Sequence, residues 1–145
     1  MTLTLELLAK TLLDAPIGYV EHTLAEILKK PVHIDVVEQN SISGTRYVRK
    51  VVISAGQFPI VSAVVQFDSK IIPKPVMSDL LQKKDGIGNI LRKNNISARR
   101  NAVSINFDPD GKKITRSYEI LHNDSVWFQI YEEIRLDLLG ACQNS

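Results

Sequence analysis

VWFQIYEEIR, residues 126–135, alternates apolar and polar side chains with the two-residue period of a half-buried strand. Val126, Phe128, Ile130, Glu132 and Ile134 fall on one face. Trp127, Gln129, Tyr131, Glu133 and Arg135 fall on the other. Glu132 is thus a carboxyl set among apolar neighbours. An unpaired buried charge is costly, so this side chain must be protonated, paired or open to a polar cavity. A carboxyl so placed is a candidate for acid–base work at neutral pH.

Moving outward, HNDS (122–125) turns the chain back onto residues 113–121. DPDG (108–111) joins that stretch to residues 102–107. A second strand group lies upstream, at residues 32–38, 46–54 and 60–67, with AGQ (55–57) forcing an antiparallel hairpin. Helices are expected over residues 3–13, ending before Pro16 and Gly18, and over residues 19–29, stopped by Pro31. Between the strand groups, Pro73 and Pro75 precede a short helix at 76–84. Gly86-Ile87-Gly88 interrupts it, and residues 89–93 resume it. Two three-stranded meanders separated by helices define one α+β domain over 1–145 with a mainly antiparallel six-stranded sheet. Its first 30 residues form a helical start. Residues 68–101, jointed by Pro and Gly, read as a lid over one face. Residues 139–145, including Cys142, read as a frayed tail.

Arg49 repeats the pattern of Glu132. Tyr47, Arg49, Val51 and Ile53 share a face, so a guanidinium projects from an aromatic and aliphatic row. Its planar fork suits a carboxylate. An inward arginine and an inward acid on one sheet suggest a site for a small anion. A structural alternative stands beside this, because inward Arg–Glu pairs often only hold a core together. Arg116, between Ile114 and Tyr118, is a second potential partner for Glu132. Tyr19, His22 and Thr23 are further pocket candidates. Gly86-x-Gly88 before a helix would aim N–H groups at an anion, although a plain turn is the commoner use of such a pair. The doublets Lys83-Lys84, Arg92-Lys93 and Arg99-Arg100 would steer anions inward or simply form solvated faces.

Composition bounds the rest. The 145 residues are 44% hydrophobic and 23% charged, which is globular rather than disordered. No apolar run approaches the roughly 20 residues of a membrane span. The first ten residues lack the basic start and cleavage site of a signal peptide, so a cytoplasmic location is expected. A net charge of +2 gives no argument for nucleic acid. One cysteine allows no internal disulfide, and His22, His33 and His122 lack ligand spacing, so no metal site is expected.

VRKVVI (48–53), then Phe58-Pro59, then Pro73 resembles the central part of the chorismate lyases. DGIGNIL (85–91) is similar to that family's small-residue turn before a short helix, and FQIYEEI (128–134) to its C-terminal strand with an active-site glutamate. The likeness covers most of residues 12–136 and is greatest for the shorter cyanobacterial and plastid-type members. It implies an antiparallel sheet with helical flaps over a buried site. It also implies elimination of pyruvate from chorismate to leave 4-hydroxybenzoate for plastoquinone or ubiquinone synthesis, without metal or cofactor. Carried over, Arg49 would bind the substrate carboxylate. Ile87 would add a backbone contact beside Gly86, and Glu132 would act at the ether and hydroxyl end. His22 stands where the family's Ser/Thr element would be, with a poor residue match. The strand before the last lacks the family's arginine pair. The alternative is a non-catalytic module of the same fold that binds aromatic carboxylates, like the effector domains of some regulators. About 30 residues precede the first strand, fewer than a winged-helix domain needs. A structural or chaperone-like protein, with Arg49 and Glu132 as a buried ion pair, is the third reading.

Overall fold

The two strand groups close into one sheet. In the computed structural model, which describes residues 5–108, 110 and 112–145, the strands are β1 (Val32–Ser43), β2 (Arg46–Ala55), β3 (Phe58–Asp68), β4 (Arg99–Asp108), β5 (Lys113–His122) and β6 (Ser125–Arg135). Their order across the sheet is β1-β2-β3-β6-β5-β4. Each meander forms as expected, and β3 pairs antiparallel with β6 from Val61↔Ile134 to Gln66↔Gln129. The sheet is therefore antiparallel throughout. Leu3 of the first expected helix, and Pro109 and Gly111 of the DPDG turn, lie outside the described residues.

Five helices among the described residues cover one face: α1 (Leu5–Leu13), α2 (Val20–Leu28), α3 (Lys74–Leu81), α4 (Ile87–Lys93) and α5 (Leu136–Gln143). Under α1, α2 and α5 lies a core containing Leu8, Leu12, Leu24, Ile60, Ile134 and Leu139. Under α3 and α4 lies a second, containing Phe67, Val76, Leu80, Ile90, Leu91 and Phe128. Opposite-parity residues such as Ser62, Gln66, Gln129 and Tyr131 are exposed, so the other face stays open. No described helix is long and apolar enough to cross a membrane.

The structure departs from the sequence expectations in three places that matter here. Residues 139–145 are no frayed tail. Leu136, Leu139 and Cys142 recur every third residue, which puts them on one helical face, and all three are buried in α5. Lys30 Nζ donates to the Cys142 carbonyl at 2.8 Å and ties down the end of that helix. Trp127, expected to face outward, is buried beside His122, with ring centroids 4.7 Å apart. The β5–β6 register shifts at Ile120/Leu121, and this breaks the strict alternation around it. Finally, α4 begins at Ile87 rather than residue 89, because Gly86 is its extended N-cap. Gly88 is glycine for a different reason: a Cβ there would lie 2.1 Å from Gly18 Cα. The link between α1 and α2 thus touches the backbone of α4, an approach only paired glycines permit.

Residues 68–101, read from sequence as a lid, contain α3 and α4, and their last residues open the edge strand β4. The cover is bolted on by Val76, Leu80, Ile87, Ile90 and Leu91, all buried. Lys93 reinforces it from outside, lying 3.0 Å from Asp85 and 3.6 Å from Asp79.

Candidate small-molecule site

Between the sheet and the helices lies a cavity of about 90 Å³. That is several times the roughly 10–15 Å³ one water needs on the same measure. Its floor is the apolar inner face of β2, β3 and β6, with Val51, Ala63 and Ile130 among its residues. One wall is the α1–α2 link and first turn of α2, through Gly18, Val20 and Glu21. A second is the α4 turn, through Gly86, Ile87 and Asn89. Polar groups converge from the far side: Arg100, Tyr118 and Glu132. Of the residues expected from sequence, Glu132, Gly86 and Ile87 meet in this one cavity.

Glu132 is buried, and its partners are now defined. Arg116 Nε donates to its Oε1 at 2.7 Å and the Tyr118 hydroxyl to its Oε2 at 3.1 Å. The register explains the pairing, since Arg116 sits directly across from Glu132 on β5. The second arginine's role is settled by that contact, and a direct Arg49–Glu132 pair is not formed. Arg49 is paired to Val65, whereas Glu132 lies opposite Ala63 two strands away from β2. On ideal spacing this separates their Cα atoms by ~12 Å.

Arg49 does not line the cavity itself. It is fully buried, and its Nη2 donates to the Asp85 carbonyl, bracing the chain just before Gly86 and Ile87. Its Nε and Nη1 have no hydrogen-bond partner among the described residues. Burial lowers the guanidinium's pKa to about 10, with Asp85 working against that shift. A cation with idle donors beside a turn is prepared for an anion, because leaving it unpaired is expensive.

His22 is not part of the cavity. Its side chain is 67% exposed, with Nε2 3.1 Å from Glu26. It borders an outer depression of about 350 Å³ with Asp85 and Arg92. That depression shares Gly18, Glu21, Ile34 and Asn89 with the inner cavity, as an entrance would.

Sequence reasoning missed three contributors. Arg100, in a doublet read as steering anions inward or as a solvated face, is half-buried on β4 and donates to the Ala15 carbonyl at 3.1 Å. Arg116 Nη1 donates to the Leu13 carbonyl at 2.9 Å, so both arginines hold the carbonyl-rich end of α1. Each lies 4.9 Å from the Tyr118 ring centre, a cation–π distance. Tyr118 is buried, and burial, then the Glu132 charge, pushes its phenol up, while Arg116 and Arg100 oppose this. The signal for Tyr118 was present in the alternation of Ile114, Arg116, Tyr118 and Ile120, which had already marked Arg116 as inward. Glu21 is the third contributor: burial, then Asp85, pushes its carboxyl up.

No family model and no curated protein matches the chain. Solved structures do share its fold. The effector domain of PhnF from Mycobacterium smegmatis is 7% identical, with a TM-score of 0.60 over 85% of this chain and 91% of that one. The ligand-binding domain of a GntR-family transcriptional regulator from Bordetella bronchiseptica is 8% identical, with a TM-score of 0.50 over 71% and 82%. At such identities the likeness concerns fold alone. The chain is an α+β domain with the architecture of those effector domains and a small internal cavity.

Proposed function

We propose that this chain is a chorismate lyase, binding chorismate in the inner cavity and releasing 4-hydroxybenzoate and pyruvate. One observation supports the reading above others. Arg49, with two idle guanidinium nitrogens, braces the Asp85–Gly86–Ile87 turn, and that turn and Glu132 border the same cavity. The ring carboxylate would dock at the turn, oriented by Arg49. The hydroxyl and ether end would then point toward Glu132, Tyr118 and Arg100. In the elimination, the ring carbon bearing the hydroxyl loses its proton as the bond from ring to enolpyruvyl oxygen breaks. The ring becomes aromatic, and the departing enolpyruvate gains a proton to become pyruvate. On this reading Glu132 would accept the ring proton, its orientation held by Arg116 and Tyr118.

A second reading is a non-catalytic module binding an aromatic carboxylate in the same cavity. The similarity to effector and ligand-binding domains favours it, as does the occupation of both Glu132 oxygens by protein donors. Chorismate itself separates the two. Equal amounts of 4-hydroxybenzoate and pyruvate, formed without added metal or cofactor, are the lyase result. Binding of 4-hydroxybenzoate with no turnover of chorismate is the module result.

A further inference from the structure

The proposed reaction leaves one ionisable group of the cavity unused. Glu21, in the first turn of α2, borders both the inner cavity and the outer depression. Among the described residues no hydrogen bond or ion pair holds its carboxyl. A methyl group built on Gly86 would meet Glu21 Oε1 at 3.6 Å, so the carboxyl stands over the turn that Arg49 braces. A ligand carboxylate docked there would face a second carboxylate across a largely apolar space. Two such groups in contact do not both remain ionised.

The geometry points to Glu21 as a proton-coupled specificity residue: an aromatic carboxylate enters the cavity together with one proton, which Glu21 holds and donates as a hydrogen bond to the ligand. This rests on the reading that the ligand's carboxylate docks at the Gly86–Ile87 turn. The neighbouring charges leave the task to Glu21. Asp85 carries the same sign and is engaged by Lys93 at 3.0 Å. On α4, Arg92 is held by Asn89 at 3.0 Å and lies over the Tyr19 ring. On α2, His22 turns to Glu26. On β1, His33 and Asp35 pair with each other on the exposed side of the strand. From β2, Arg49 reaches the Asp85 carbonyl, and across the cavity Arg100 and Arg116 hold the end of α1, Arg116 also binding Glu132. Burial already favours the protonated form of Glu21 in the empty cavity, and Asp85 adds to it.

Calorimetric titration of 4-hydroxybenzoate tests this, in buffers of differing ionisation enthalpy from about pH 5 to about pH 8. Once free Glu21 is ionised, the natural protein should take up about one proton per ligand and lose affinity about tenfold per pH unit. Glu21→Gln should bind without proton uptake and lose the slope, while His22→Gln keeps it. Equal slopes in the natural protein and Glu21→Gln, or a slope lost only in His22→Gln, would overturn the inference and leave the lyase reading intact. Failure of all three proteins to bind at any pH would overturn the functional reading and the inference with it.

Discussion

Glu132 is a packed structural group bonded to Arg116 and Tyr118 and, on the proposed lyase reading, a reacting one as well, and substitution has to separate the two. Glu132→Gln keeps an acceptor for Tyr118 but leaves Arg116 a buried cation without its counter-charge. We expect a loss of about 3 kcal/mol in urea unfolding, together with loss of turnover. Replacing both partners, as Arg116→Met with Glu132→Leu, should recover most of the stability and none of the activity, because an apolar pair needs no desolvated charge. Stability unchanged in Glu132→Gln would mean that the pair is not a structural element. At this scale the sequence showed which residues were anomalous, since alternation alone marked Arg49, Arg116 and Glu132 as inward charges. It could not choose among their partners. That choice depends on which strands are neighbours and on register, and β6 lies between β3 and β5 rather than beside β2. Glu21 was illegible for a related reason: a glutamate in a first helical turn looks like an ordinary dipole-favoured residue, and only the fold puts a cavity beside it.

Elements meet where their backbones can, and the sharpest case is the Gly18–Gly88 contact. Gly88→Ala would thrust a Cβ to 2.1 Å from Gly18 Cα, and neither backbone can yield cheaply. A loss of about 3 kcal/mol in denaturant unfolding, with weakened 4-hydroxybenzoate binding, is the expected outcome. A variant of natural stability and affinity would show that α4 is free to move away. The GIG sequence announced a special backbone position but not its cause, since the partner glycine lies 70 positions upstream, as the residue numbers themselves show. α5 gives a second test. Leu139 is 0% exposed, so Leu139→Ala should cost about 3 kcal/mol by thermal or chemical unfolding. A negligible effect would restore the frayed-tail expectation. Terminal position misled there, whereas the three-residue recurrence of Leu136, Leu139 and Cys142 carried the better signal. The strands were legible throughout because β-branched alternation bounded by turn residues is a local pattern, and their bounds shifted mainly at bulges.

Across the whole molecule, one sheet with a helical face and an open face leaves a single layer in which a ligand can be enclosed. The two apolar cores flank that space, and arginines brace its surroundings at opposite ends: Arg49 holds the chain before the α4 turn, Arg100 and Arg116 the end of α1. Such a layout fits a small molecule with an anionic end and a polar end, held over an apolar floor. On the proposed lyase reading, this enclosure turns over chorismate. The most direct measurement follows 4-hydroxybenzoate and pyruvate by chromatography after adding chorismate, without metal or cofactor, to the natural protein and to folded Arg49→Ala and Glu132→Gln variants. A lyase gives equal amounts of both products from the natural protein and at least about a hundredfold less from each variant. Intact chorismate with well-folded natural protein, or undiminished turnover in both variants, would contradict that reading.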